Sequence, residues 1–93
     1  PSKEWQGKSG LGDYADFVMQ TDAAVGEVLA ALDTARVAGN TVVVFTSDNG
    51  CSPAAGTAAL EKKGHFPSGG FRGYKADVWD GGHRVPFVVR WPG

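Results

Sequence analysis

Asp48 and Asn49 come directly after the apolar run Thr41-Val-Val-Val-Phe-Thr-Ser47 and are followed by Gly50. A carboxylate beside a carboxamide offers hard oxygen donors, the kind that calcium and magnesium select. Val42 to Phe45 are β-branched or aromatic with no polar alternation, the pattern of a strand covered on both faces of a parallel sheet. Ligands of such sheets gather at the carboxyl ends of the strands, so the pair would stand on a rigid support at the reactive rim. A plainer reading exists. Asn-Gly is a strong hairpin-turn signal. Yet Cys51-Ser-Pro-Ala-Ala-Gly-Thr57 lacks the alternation of a returning strand. Metal site and simple turn both stand at this point.

Other side chains with chemical capacity are fewer. Lys75, between Tyr74 and Ala76, reads on its own as a solvated lysine, as most lysines are. His65, in Lys63-Gly-His-Phe-Pro-Ser68, reads either as a substrate contact near a pocket or as a solvated loop histidine. His83, between Gly82 and Arg84, suits a structural hydrogen bond. Arg72 either orients the loop of Lys75 or pairs with Asp80. Trp5, Trp79 and Trp91 read as packing residues, with Trp79 near enough to Lys75 to leave a sugar platform open.

These residues need elements to hold them. Tyr14, Phe17, Val18, Val25, Val28, Leu29 and Leu32 fall on one stripe of a 3.6-residue period, while Asp16, Gln20, Glu27 and Thr34 lie elsewhere around the axis. The spacing predicts a helix over about residues 13–38, with Asp13 as N-cap and Gly39 as the C′ residue. Gly26 within it implies close packing against a neighbour. A strand over about 41–47 follows, then a short helix over about 57–63 with Thr57 as cap and Gly64 beyond its end. Residues 64–84 read as irregular, and 85–91 as a second strand with Pro86 near its start. Two apolar strands and one amphipathic helix cannot cover each other, so the pattern is that of an internal slice of a larger α/β domain.

Ninety-three residues fit one small domain or part of a larger one. Nine basic and ten acidic residues leave a net charge of −1, which argues against a general nucleic-acid or anionic-membrane surface. No run of apolar residues is long enough to span a membrane. The single cysteine allows no internal disulfide. Glycine and proline crowd into residues 50–93, a composition of site-forming loops.

Three blocks together resemble the sulfatase family, of the arylsulfatase type. They are Gly12-Asp-Tyr-Ala-Asp-Phe-Val18 with Thr21-Asp-Ala-Ala-Val-Gly26, Leu29 and Leu32; Asn40-Thr41 through Phe45-Thr-Ser-Asp-Asn-Gly50; and Phe71-Arg-Gly-Tyr-Lys75 running into Asp80-Gly-Gly-His-Arg-Val-Pro86 and Trp91-Pro-Gly93. The resemblance implies an alkaline-phosphatase-like α/β fold, of which this chain is the later part and is incomplete at both ends. It implies hydrolysis of sulfate esters, on a sulfated small molecule or sulfated carbohydrate. Asp48 and Asn49 take the positions of calcium ligands, magnesium being the lesser candidate, and Lys75 that of the lysine reaching the sulfate. The family nucleophile is a formylglycine from a cysteine- or serine-x-proline-x-arginine motif. Cys51-Ser-Pro-Ala-Ala55 is not that motif, because Ala55 stands where arginine is required and the motif belongs far upstream. The nucleophile is therefore expected before Pro1, and this chain alone is expected to be inert. Asp80 stands where relatives more often carry glutamate, and Asp22 matches a recurrent family aspartate without a chemical role. A periplasmic or secreted location follows from the resemblance alone. The rival readings are a phosphate mono- or diester hydrolase of the same fold group and a non-catalytic relative that has lost its nucleophile.

Overall fold

A computed structural model describes residues 1–92. The chain forms two compact units, one running from Pro1 to Val43 and resuming at Val89, the other from Val44 to Val88.

In the first unit, helix α1 spans Asp13–Thr34. Its 22 residues make a rod of about 33 Å. Gly12 occupies the N-cap position expected of Asp13, and Asp13 and Asp16 fall in the first turn, where acids complement the exposed N–H groups. The helix stops four residues earlier than its apolar period suggests. Arg36 turns left-handed (φ 57°), its N–H donates to Asp33 O at 3.0 Å, and Val37 N–H donates to Leu32 O at 3.1 Å. That pair of bonds is a Schellman ending, which satisfies the last carbonyls without the glycine expected at residue 39. Ala38–Asn40 then form one 3-10 turn, with Ala38 buried.

Asp16 departs furthest from its sequence reading. Placed off the apolar stripe, it is nevertheless only 1% exposed. Its Oδ2 accepts the Gly7 N–H and its Oδ1 the Ser9 N–H, each at 2.7 Å. Hydrogen bonds from Ser9, through side chain and backbone, and from Gly7 hold its carboxyl below the ordinary 3.8. Gly26, by contrast, has no close neighbour: a methyl group there would meet nothing within 4 Å.

Strands β1, Val43–Thr46, and β2, Phe87–Arg90, pair in a two-stranded sheet. Both are shorter than the apolar runs that contain them. Pro86 lies just ahead of β2, where its missing N–H costs no ladder bond. The expectation of a strand buried on both faces is not met within these residues. Val44, Phe45, Phe87 and Val88 are exposed, because a sheet of two strands needs a layer on each face to cover it.

The second unit carries helix α2, Thr57–Lys62, and a single helical turn α3, Asp80–His83, in a stretch whose sequence reads as irregular. Gly56, not Thr57, caps α2. Gly64 takes the left-handed position beyond its end as expected, with Gly64 N–H donating to Glu61 O at 2.9 Å and His65 N–H to Leu60 O at 3.0 Å. Thr57 and Leu60 are buried. Among the described residues no helix is long and apolar enough to cross a membrane.

Candidate functional site

Asp48, Asn49, His65, Arg72, Lys75 and His83 all lie in the second unit. β1 ends at Thr46 and the chain bends through Ser47–Gly50. The Ser47 hydroxyl donates to Asn49 O at 2.9 Å, and the Asn49 Nδ2 donates to Gly50 O at 3.0 Å. With its nitrogen engaged inside the bend, the carboxamide has its oxygen left to serve an outside partner. Asp48 is exposed and Asn49 half-buried.

Backbone hydrogen bonds fasten the bend to a second loop. Gly50 N–H donates to Gly82 O at 2.9 Å, and Lys75 N–H donates to Cys51 O at 2.8 Å. Gly81 N–H donates to Arg72 O at 2.8 Å in the same layer. This approach is possible only without side chains. A Cβ on Gly50 would lie 1.9 Å from Gly81 O, one on Gly81 2.0 Å from Gly73 O, and one on Gly82 2.2 Å from Asp77 O. Backbone atoms that close have nowhere to go, so each position excludes any larger residue.

Lys75 sits inside a four-residue turn. Asp77 N–H donates to Tyr74 O at 2.9 Å, and Asp77 Oδ2 accepts the Tyr74 N–H at 2.9 Å, closing the turn from both ends. Ala76 takes the left-handed conformation there (φ 77°), a strain that persists only where the surroundings dictate it. The Tyr74 hydroxyl donates to Glu61 Oε1 on α2. That carboxylate raises the phenol above its ordinary 10.0. The Lys75 side chain itself is exposed.

The structure thus joins the Asp48–Asn49 bend to the Lys75 turn through Gly50 and Cys51. His65 is exposed, and its backbone closes the end of α2. Arg72 does not pair with Asp80. Its guanidinium stacks 3.8 Å over the Trp79 ring, while Asp80 pairs with Arg84 at 3.4 Å. His83 Nδ1 lies 3.1 Å from Trp79 O, the structural hydrogen bond expected of it. Cys51 is half-buried and contributes its carbonyl to the loop junction. Among the described residues no three His, Cys, Asp or Glu side chains cluster as metal ligands do. The oxygen donors at 48 and 49 fit a hard cation in kind, and fall short of its usual six to eight ligands in number.

The model of the sulfatase family matches residues 1–93. The chain belongs to the sulfatase family. It is 42% identical over 95 residues to an N-acetylgalactosamine-6-O-sulfatase of Bacteroides thetaiotaomicron, covering 99% of this chain and 19% of that protein. It is 47% identical over 96 residues to a steryl-sulfatase of Rattus norvegicus, covering 97% of this chain and 15% of that one. An N-acetylgalactosamine-6-sulfatase of Homo sapiens is 41% identical over 92 residues, covering 99% of this chain and 17% of that one. The chain therefore spans less than a fifth of the length of each of these sulfatases. No solved structure matches it.

Sequence reasoning missed Glu61, Tyr74 and Asp77. Asp77 carries a local signal, since an acid three residues after a turn-opening residue can reach back to that residue's backbone N–H, as in a capping box. The Tyr74–Glu61 bond spans 13 residues and has no such signal.

Proposed function

We propose that the full-length protein is a sulfuric ester hydrolase of alkaline-phosphatase-like α/β fold, and that this chain supplies one side of its active site. Asp48 and Asn49 are two of the ligands of a calcium ion, and Lys75 contacts the sulfate. The remaining acidic ligands and a formylglycine nucleophile belong to segments upstream of Pro1. A calcium ion there would supply a fixed positive charge against the sulfate oxygens. Lys75 places its ammonium group near the ester oxygen, which gains negative charge as the sulfur–oxygen bond breaks. Its turn is fastened to the bend by backbone, so the cation meets that charge with little reorganisation. The substrate is a sulfated small molecule or sulfated carbohydrate, reached in a periplasmic or extracellular compartment.

The observation that supports this reading is the hydrogen bond from Lys75 N–H to Cys51 O at 2.8 Å, two residues past Asn49. It ties the only lysine of the glycine-rich third block to the segment carrying the oxygen donors. In the full-length enzyme, Lys75→Ala should lower kcat on an unactivated alkyl sulfate by roughly 10²–10³-fold, the size typical of losing one charge-stabilising group. Turnover near the wild-type value on that slow substrate would remove Lys75 from the mechanism.

A further inference from the structure

Lys75 is exposed and its long side chain is flexible, so the direction of its ammonium depends on how firmly its backbone is held. Three fixings converge on that backbone. Lys75 N–H is held by Cys51 O, Asp77 closes the turn at both ends, and the neighbouring Tyr74 is anchored through its ring. The third fixing is the one that reaches α2. Thr57 and Glu61 stand four residues apart on one face of α2, and both hydrogen-bond to the Tyr74 side chain. Thr57 is buried, Leu60 between them is buried, and α2 is closed by its glycine ending. The helix is therefore a firm post, and Tyr74 is the strut from it to the turn.

We infer that Tyr74 is a positioning residue, held by Glu61 and Thr57 on α2, that sets the aim of the Lys75 ammonium at the leaving oxygen of the ester. The inference rests on the assignment of Lys75 to the sulfate. Removing the phenol hydroxyl leaves the ring and the fold in place but frees the Tyr74–Asp77 turn from α2. An ammonium displaced by a fraction of an ångström still binds an anion, yet no longer meets the charge that grows on the leaving group. The loss should fall on kcat, and it should be largest where the leaving group needs most help.

The test uses the full-length enzyme with two substrates, an alkyl sulfate and a nitrophenyl sulfate whose phenol leaves readily. Tyr74→Phe should lower kcat about tenfold on the alkyl sulfate, with KM little changed, and much less on the nitrophenyl sulfate. Glu61→Ala should reproduce that pattern, and Glu61→Gln, which keeps an acceptor for the hydroxyl, should restore most of the rate. In a Lys75→Ala background Tyr74→Phe should cost nothing further. Equal losses on both substrates, an undiminished further loss in the Lys75→Ala background, or wild-type rates for Tyr74→Phe and Glu61→Ala would each overturn the strut. Wild-type turnover of Lys75→Ala itself overturns the lysine assignment instead, so the two failures are told apart. Should Tyr74→Phe fold poorly, the Glu61 pair alone decides.

Discussion

Gly26 and Gly81 are the same residue in opposite situations. A methyl group added at Gly26, midway along α1, would meet nothing within 4 Å, whereas at Gly81 it would stand 2.0 Å from the Gly73 carbonyl oxygen. Around Gly26 the chain keeps its shape by a repeated local bond, the i to i−4 ladder, and tolerates open space beside it. Around Gly81 there is no repeat. Arg72 to Arg84 keep their shape because backbone groups of three loop segments bond to one another at distances no side chain would allow. The regular region is robust to change, and the irregular one is exact and brittle. The candidate site is built in the brittle one, where a fixed geometry matters most for chemistry.

That contrast can be broken from either side. The largest effect should come from Gly81→Ala, which forces backbone against backbone. In the full-length enzyme it should cost about 3 kcal/mol or more of stability and remove most activity, read by denaturant unfolding and turnover. A stable, active Gly81→Ala enzyme would mean that the loops are not locked. Gly26→Ala should go the other way, adding about 0.5–1 kcal/mol from helix propensity without touching activity. A destabilised Gly26→Ala protein would show a close neighbour at that helix face. The smallest effect is local and depends on pH. Because the Asp16 carboxyl sits below its ordinary 3.8 when folded, the stability it contributes is present above that value and lost as pH falls through the lower one. Amide exchange at Gly7 and Ser9 should quicken across that acid range, and in Asp16→Asn it should already be fast at neutral pH. Exchange at those two amides unchanged by Asp16→Asn would sever the loop from the carboxylate.

The same contrast explains what could be read from the residues. The existence of α1, both strands and α2 followed from apolar period, β-branched runs and Gly64, all of which act over a few neighbours. The end of α1 did not, because Arg36 accepts a conformation that residue type alone disfavours, and the Schellman bonds from residues 36 and 37 decide it. The burial of Asp16 left no sign for a related reason. Its position around the axis says solvent, while its partners Gly7 and Ser9 arrive from a loop with no period to announce it. In the site, the donors Asp48 and Asn49 were legible as an acid and an amide ending an apolar strand. The proposed role of Lys75 comes only from the three blocks that resemble sulfatases, since nothing local marks it among nine basic residues. Its holders, Tyr74, Glu61 and the glycine contacts, are fixed by tertiary approach and leave no pattern in a single chain.

On the proposed function, the bend after β1 and the turn carrying Lys75 face one sulfate and the cation beside it. A crystal structure of the full-length enzyme grown with calcium and sulfate tests this directly. An Asp48 carboxylate oxygen and the Asn49 Oδ1 should lie within about 2.3–2.6 Å of calcium. Lys75 Nζ should lie within about 3 Å of an oxygen of a sulfate beside that calcium. Calcium bound elsewhere, with Asp48 and Asn49 turned to solvent, would contradict the proposal, as would a Lys75 ammonium beyond hydrogen-bond reach of the anion.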